Sequence, residues 1–202
     1  VKELIISAYD RDYQWVSNLD RDVKVTVYRK GSNIQNNETY LSNNVGRDVH
    51  TFFYHFYKNY YTLSDYTITS QDFPFDHVDN YIPVINGGVR EWENNAIMEI
   101  GECWFFNRDH IYERVLECDH NGMPHHGGLD IKGVWNQLFE TSIPYKINFV
   151  PAGHFCISRE AVHKRPVEFY EKVVNILETN DQSPWIIERL EPYIFDTNFK
   201  IK

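Results

Sequence analysis

Cysteine is scarce in this chain: three of 202 residues, Cys103, Cys118 and Cys156, with no CxxC spacing. An odd, scattered set of thiols points to ordinary buried cysteines in a reduced, cytoplasmic setting. Cationic charge is also short, with 20 Lys and Arg against 29 Asp and Glu and a formal net charge of −9. Duplex binding rests on neutralising phosphates, so nucleic acid is not an expected partner. A local cationic pocket for one small polyphosphate is still compatible with that balance. No run approaches the ~18 apolar residues of a membrane-spanning helix, and no signal peptide is visible. Internal repeats and low-complexity tracts are absent as well. Because the sequence opens on Val1 and not Met, it is expected to be part of a longer, multidomain polypeptide.

Aromatic residues are abundant, with 13 Phe, 14 Tyr and 5 Trp in a chain that is 42% hydrophobic, which argues for a folded protein. Two hundred residues suit one domain with a substantial core and are short for two. Leu4 to Ala8 is an apolar run that reads as a buried strand, left by Tyr9-Asp10-Arg11-Asp12 and a short helix over Tyr13 to Leu19. Val23, Val25 and Val27 alternate with Lys24 and Thr26, the period of a second strand. Gly31 to Asn44 is polar and Asn-rich, a surface connection. From Val49, apolar residues recur at Phe52, Phe53, Phe56, Tyr57 and Tyr60, an amphipathic helix. Tyr66 to Ser70 is then a strand.

The later chain is less regular. A helix is expected over Glu91 to Glu102, a loop over Cys118 to Gly128, and strands at Ile147 to Val150 and Phe155 to Ile157. Helices are expected again over Val167 to Leu177, with Pro166 near its start, and from about Trp185 to Leu190. Strand–helix–strand order implies an α/β layered fold with a largely parallel sheet. Ligands on such sheets sit outside the carboxyl ends of the strands, from which both Tyr9-Asp10 and the 71–79 loop emerge.

Two stretches carry chemistry. Asn44-Val45-Gly46-Arg47-Asp48 is a tight turn opening a helix, where backbone N–H groups, the helix dipole and a guanidinium favour a phosphate. Gly46 permits a positive φ or close approach of a ligand. Gln71-Asp72-Phe73-Pro74-Phe75-Asp76-His77-Val78-Asp79 supplies three carboxylates, hard ligands for a divalent ion that would bridge phosphate oxygens. A solvated acidic loop is the competing reading. Asp20–Asp22 reads as solvated surface, and Asp10–Asp12 as a neighbour of a base or ribose. His50 and His55, five residues apart, do not share a helix face and read as core or surface. His154, between two strands, is placed to reach a metal or diphosphate. His125-His126-Gly127-Gly128 reads as a plain or substrate loop, and Trp92, Trp104 and Trp135 as core or sugar-stacking residues.

At these residues the sequence resembles GT-A-type glycosyltransferases. Within them it is similar to small domains that share three stretches, and to glycosyltransferases that build viral capsid glycans. The shared stretches are Tyr9-x-x-Asp12 with Trp15, Asn44-x-Gly46-Arg47-Asp48-x-His50-Thr51, and Gln71-x-x-Pro74-x-x-His77. Gly153-x-Phe155-x-x-Ser158-Arg159-Glu160, followed by Arg165-Pro166 and a Tyr-bearing helix, also fits. The match covers most of the chain outside residues 86–146.

The resemblance implies a UDP-sugar donor, Mn²⁺ or Mg²⁺, and a glycan acceptor. Ala8 and Tyr9 would line the uridine site, and Asn44, Gly46, Arg47 and Gln71 would contact the nucleotide. No strict Asp-x-Asp follows the strand, so the 72–79 loop takes that place, with Asp76 and Asp79 favoured to hold the ion, Asp72 close behind, and His154 as a further ligand. Arg47 would stabilise the departing diphosphate, and Asp72 is the first candidate for the catalytic carboxylate, beside Glu102 and Asp130. The expected architecture is a single α/β, GT-A-like domain over residues 1–202. Its central sheet is mostly parallel, mixed, and flanked by helices. Its nucleotide-binding part is expected over about 1–85 and its acceptor-side part over about 86–202. A metal-dependent phosphohydrolase and a non-catalytic carbohydrate-binding module are the alternatives.

Overall fold

The computed structural model describes residues 1–35, 37–41, 43–107, 115–117, 128–151 and 153–196. The loop expected over Cys118 to Gly128, with His125 and His126, therefore lies outside the described residues except for Gly128.

Seven strands form one sheet. They are β1 (Lys2–Ala8), β2 (Val23–Arg29), β3 (Glu38–Tyr40), β4 (Tyr66–Gln71), β5 (Met98–Ile100), β6 (Cys103–Phe105) and β9 (Phe155–Ser158). The order is β3-β2-β1-β4-β9-β6-β5. β3, β2, β1 and β4 run parallel, whereas β9, β6 and β5 join by antiparallel pairing, so the sheet is mixed. β7 (Val115–Glu117) and β8 (Lys146–Asn148) make a separate antiparallel pair.

Helices cover both faces. α1 (Arg47–Lys58), α6 (Val167–Thr179) and α7 (Ser183–Phe195) pack on one side. α2 (Tyr81–Asn86) and α3 (Val89–Asn95) pack on the other. Two short helices, α4 (Ile131–Leu138) and α5 (Arg159–Val162), add to the first layer. The apolar stripe of α1 is what seats it: Val49, Phe52, Phe53 and Phe56 are all buried against Tyr170, Val173 and Leu177 of α6 and the end of α7. β1 is buried on both faces, with Ile5 in that cluster and Leu4 and Ile6 in the opposite one. Sequence alternation is therefore missing from β1, as expected for a central parallel strand. Trp92, Trp104 and Trp135 are core residues, between 1% and 4% exposed. Among the described residues no helix is long and apolar enough to cross a membrane.

The structure corrects the reading of the middle of the chain. The helix expected over Glu91 to Glu102 ends at Asn95, and Met98 to Phe105 forms the β5–β6 hairpin at the sheet edge. β3 lies within the stretch expected to be an irregular connection, and the last helix runs on to Phe195.

Candidate functional site

β1 and β4 are neighbours, yet β1 continues to β2 on its other side. This is the point where an α/β sheet opens a crevice at its carboxyl edge. The crevice holds a cavity of about 420 Å³ lined by Ser7 in β1 and Tyr9, Asp10 and Arg11 after it, Gln71 at the end of β4 and Asp72, Phe73, Asp76 and His77 after it, and Asn44, Arg47 and Asp48 at the start of α1. A second cavity of about 350 Å³ shares Tyr9, Asp10 and Arg11 as a wall and extends to Tyr13, Arg29, Asn33 and Gln35. Volumes of this size suit a small organic ligand.

The Asn44–Arg47 turn has an unusual backbone. Asn44, Gly46 and Arg47 adopt φ values of 46°, 67° and 54°. Two of these are side-chain-bearing residues in the left-handed region, a conformation that persists only where the surroundings impose it. Gly46 has no alternative: a Cβ there would stand 2.6 Å from that of His50. Arg47 is exposed, and its guanidinium lies 5.5 Å from the Trp185 ring centroid. Asp48 accepts a hydrogen bond of 2.8 Å from Gln71 Nε2, which ties the turn to the end of β4.

The acidic loop is organised by Asp72. Its Oδ2 accepts the backbone N–H groups of Tyr9, Asp10 and Arg11 at 3.0, 3.2 and 2.9 Å, and its Oδ1 accepts that of Phe73 at 3.0 Å. Trp15 Nε1 donates to the Asp72 carbonyl at 2.7 Å. The charge of Asp72 is thus spent on shaping the β1 exit loop. The other two carboxylates considered as a base are also engaged. Glu102 accepts from the Ser158 hydroxyl at 2.5 Å, and Asp130 caps α4 by accepting from the Gly133 N–H at 2.8 Å.

Of the residues expected at the site, Tyr9, Asn44, Arg47, Gln71, Asp72 and Asp76 line the cavity together. Gly46 shapes the turn beside it. Ala8 does not line it: its side chain is in the core, at 0% exposure. The expected metal trio is not gathered either. Asp76 is ion-paired with Arg11, and exposed Asp79 is outside the lining. His154 is 1% exposed and packs against His77 and Tyr81, with ring centroids 5.5 and 5.4 Å apart. Among the described residues no group of three or more His, Cys, Asp or Glu side chains stands ready to hold an ion.

Sequence reasoning missed three contributors. Arg11 lies over the Phe73 ring at 5.3 Å and pairs with Asp76 across the cavity mouth. Phe73 is 37% exposed and Tyr9 50%, so two aromatic faces border the same space. Lys30, 1% exposed under the Asn44–Arg47 turn, donates to the carbonyls of Val45 and Arg47. Arg11 and Phe73 were readable as neighbours of the two stretches already singled out. A lysine at a strand end carries no such signal.

The chain belongs to the family described as a protein of unknown function (DUF3431), whose model matches residues 4–202. No curated protein and no solved structure matches the chain.

Proposed function

For this member of the DUF3431 family we propose a GT-A-like glycosyltransferase that moves a sugar from a UDP-sugar donor to a glycan acceptor. A viral capsid glycan is the acceptor class implied by the resemblance, and the host cytoplasm the corresponding location. The observation that carries the reading is the cavity at the β1–β4 crevice, bordered by Arg11, Arg47 and the left-handed turn that opens α1. It offers an anionic ligand two guanidiniums and a helix start at the carboxyl ends of parallel strands, set among the carboxylates of Asp10, Asp48, Asp72 and Asp76, the last of which pairs with Arg11. The adjoining cavity and the exposed faces of Tyr9 and Phe73 give a nucleotide-sugar room and flat surfaces to stack on.

In this reading the acceptor hydroxyl oxygen attacks the anomeric carbon, whose bond to the diphosphate oxygen breaks, and the hydroxyl proton passes to the departing diphosphate or through water to solvent. The bonding pair leaves with UDP, and Arg47, assisted by Arg11, balances the charge that develops there. Gln71 and Asp48, bonded to each other, hold the turn against the end of β4. Asp72 holds the Tyr9–Arg11 loop over the cavity. Mn²⁺ or Mg²⁺ belongs to the expectation, but Asp76, Asp79 and His154 do not fit one ion as they stand, so no step is taken through it.

The test is UDP release from a panel of UDP-hexoses offered with glycan acceptors, with Mn²⁺ and with EDTA. Acceptor-dependent release supports the reading. Release to water alone, from many nucleotides, favours a phosphohydrolase. Glycan binding without nucleotide binding favours a carbohydrate-binding module.

A further inference from the structure

We propose that Lys30 is a positioning residue for this cavity: its buried ammonium fixes the left-handed Asn44–Arg47 turn and so presents Arg47 to an anionic ligand. The inference deepens the nucleotide reading, and rests on it only for the identity of that ligand.

The geometry is complete around the ammonium. Nζ donates to the carbonyl oxygens of Val45 and Arg47, the latter at 2.6 Å, and lies 3.2 Å from His50 Nδ1. His50 Nε2 is 3.0 Å from Glu178 Oε1. A carboxylate only accepts, so Nε2 carries the ring hydrogen and Nδ1 is left as an acceptor. Three acceptors therefore meet the three N–H groups of Lys30. The backbone of Lys30 is fixed too: its N–H donates to the Ala8 carbonyl at 2.8 Å, and its carbonyl accepts the Asn44 N–H at 3.0 Å. One residue thus joins the end of β1, the end of β2 and both ends of the turn.

Burial pushes the Lys30 ammonium down to about 7, against the favourable charges of Asp48 in α1 and Glu178 in α6. An apolar side chain would fill the same space without that desolvation cost. What an apolar side chain lacks is a means of drawing the Val45 and Arg47 carbonyls inward. With those carbonyls held below, the turn keeps φ values of 46°, 67° and 54°, and the Arg47 side chain is left exposed at the cavity.

The experiment compares Lys30→Met, Lys30→Arg, Arg47→Ala and the Lys30→Met/Arg47→Ala pair by amide hydrogen exchange and by calorimetric titration with UDP. In Lys30→Met the His50 amide, bonded to the Gly46 carbonyl at 3.0 Å, should exchange at least about tenfold faster, with core strands unchanged. UDP affinity should fall about tenfold or more, as in Arg47→Ala, and the double variant should lose little further, because both changes remove one coupled contact. Lys30→Arg should restore most of the affinity. Unchanged exchange in the turn overturns the inference, as do affinity losses that simply add. If wild type binds no UDP, the exchange result still decides the role of Lys30, and only the nucleotide reading falls. If Lys30→Met does not fold, Lys30→Gln serves: faster exchange at the same amide is expected, and wild-type exchange overturns the inference.

Discussion

Asp72→Asn separates a carboxylate that performs chemistry from one that shapes a loop. In the structure, one Asp72 oxygen takes three backbone N–H groups and the other takes a fourth. Asparagine can turn its carbonyl toward the three donors, but its NH₂ then meets the Phe73 N–H, donor against donor. Hydrogen bonds to a charged acceptor contribute about 1.5–3 kcal/mol each and neutral ones about 1. The three bonds share one oxygen, so their charge assistance does not triple. Losing it, and leaving the Phe73 N–H unsatisfied, should cost about 2–4 kcal/mol. For a domain of this size that lowers Tm by about 4–16 °C. Urea denaturation followed by tryptophan fluorescence measures it directly. UDP affinity should fall in parallel, since Tyr9, Asp10 and Arg11 wall both cavities. A variant within about 0.5 kcal/mol of wild type would refute the reasoning. If that stable variant also bound UDP but transferred no sugar, Asp72 would be the catalytic carboxylate expected from the sequence.

Arg47→Ala should weaken UDP binding about ten- to a hundredfold with little change in denaturation midpoint, because Arg47 is exposed and its lost contacts are charge-assisted. Unfolding of that variant would make Arg47 a structural residue instead. Asp79→Asn should leave UDP titrations and stability unchanged, whereas Asp76→Asn, by releasing Arg11, should shift UDP affinity; loss of Mn²⁺-dependent binding on Asp79→Asn would restore the metal assignment. Glu191, fully buried in α7 with neither carboxylate oxygen hydrogen-bonded among the described residues, has its carboxyl raised well above its usual range, mainly by burial. The folded state therefore holds a proton that the unfolded state releases from about pH 4.5 upward, so this group's contribution is present below that pH and is lost as pH rises. Glu191→Gln should flatten that part of the stability profile between pH 5 and 8, and a profile parallel to wild type would contradict it.

The legible parts of the fold were those whose pattern is local. The periodicity of α1 and α6 follows from single faces turned to one core, and both helices are where the sequence places them; β2 is also in place, although Val25 is exposed and its end is buried on both faces, Val27 in one cluster and Tyr28 in the other. β5 has three residues, too short to show a period, so the helix expected from Glu91 was carried through it to Glu102. Pro83 in its first turn hid α2, although proline is tolerated there. The same division runs through the site. Asn44 to Arg47 and Gln71 to Asp76 lie within short stretches whose residue types name their chemistry. The four donors that occupy Asp72 come from two chain segments, and the grip of Lys30 on the turn spans 15 to 17 residues. Those bonds depend on β1 lying between β2 and β4, which residue spacing does not encode.

In the proposed function the β1–β4 crevice binds a uridine diphosphate through Arg47. Calorimetric titration of wild type and Arg47→Ala with UDP, GDP and CMP, in Mn²⁺ and in EDTA, tests it most directly. Saturable one-to-one binding that favours UDP and is weakened at least about tenfold by the substitution is expected. Equal binding of all three nucleotides, no binding of any, or an affinity for UDP unchanged in Arg47→Ala would contradict it.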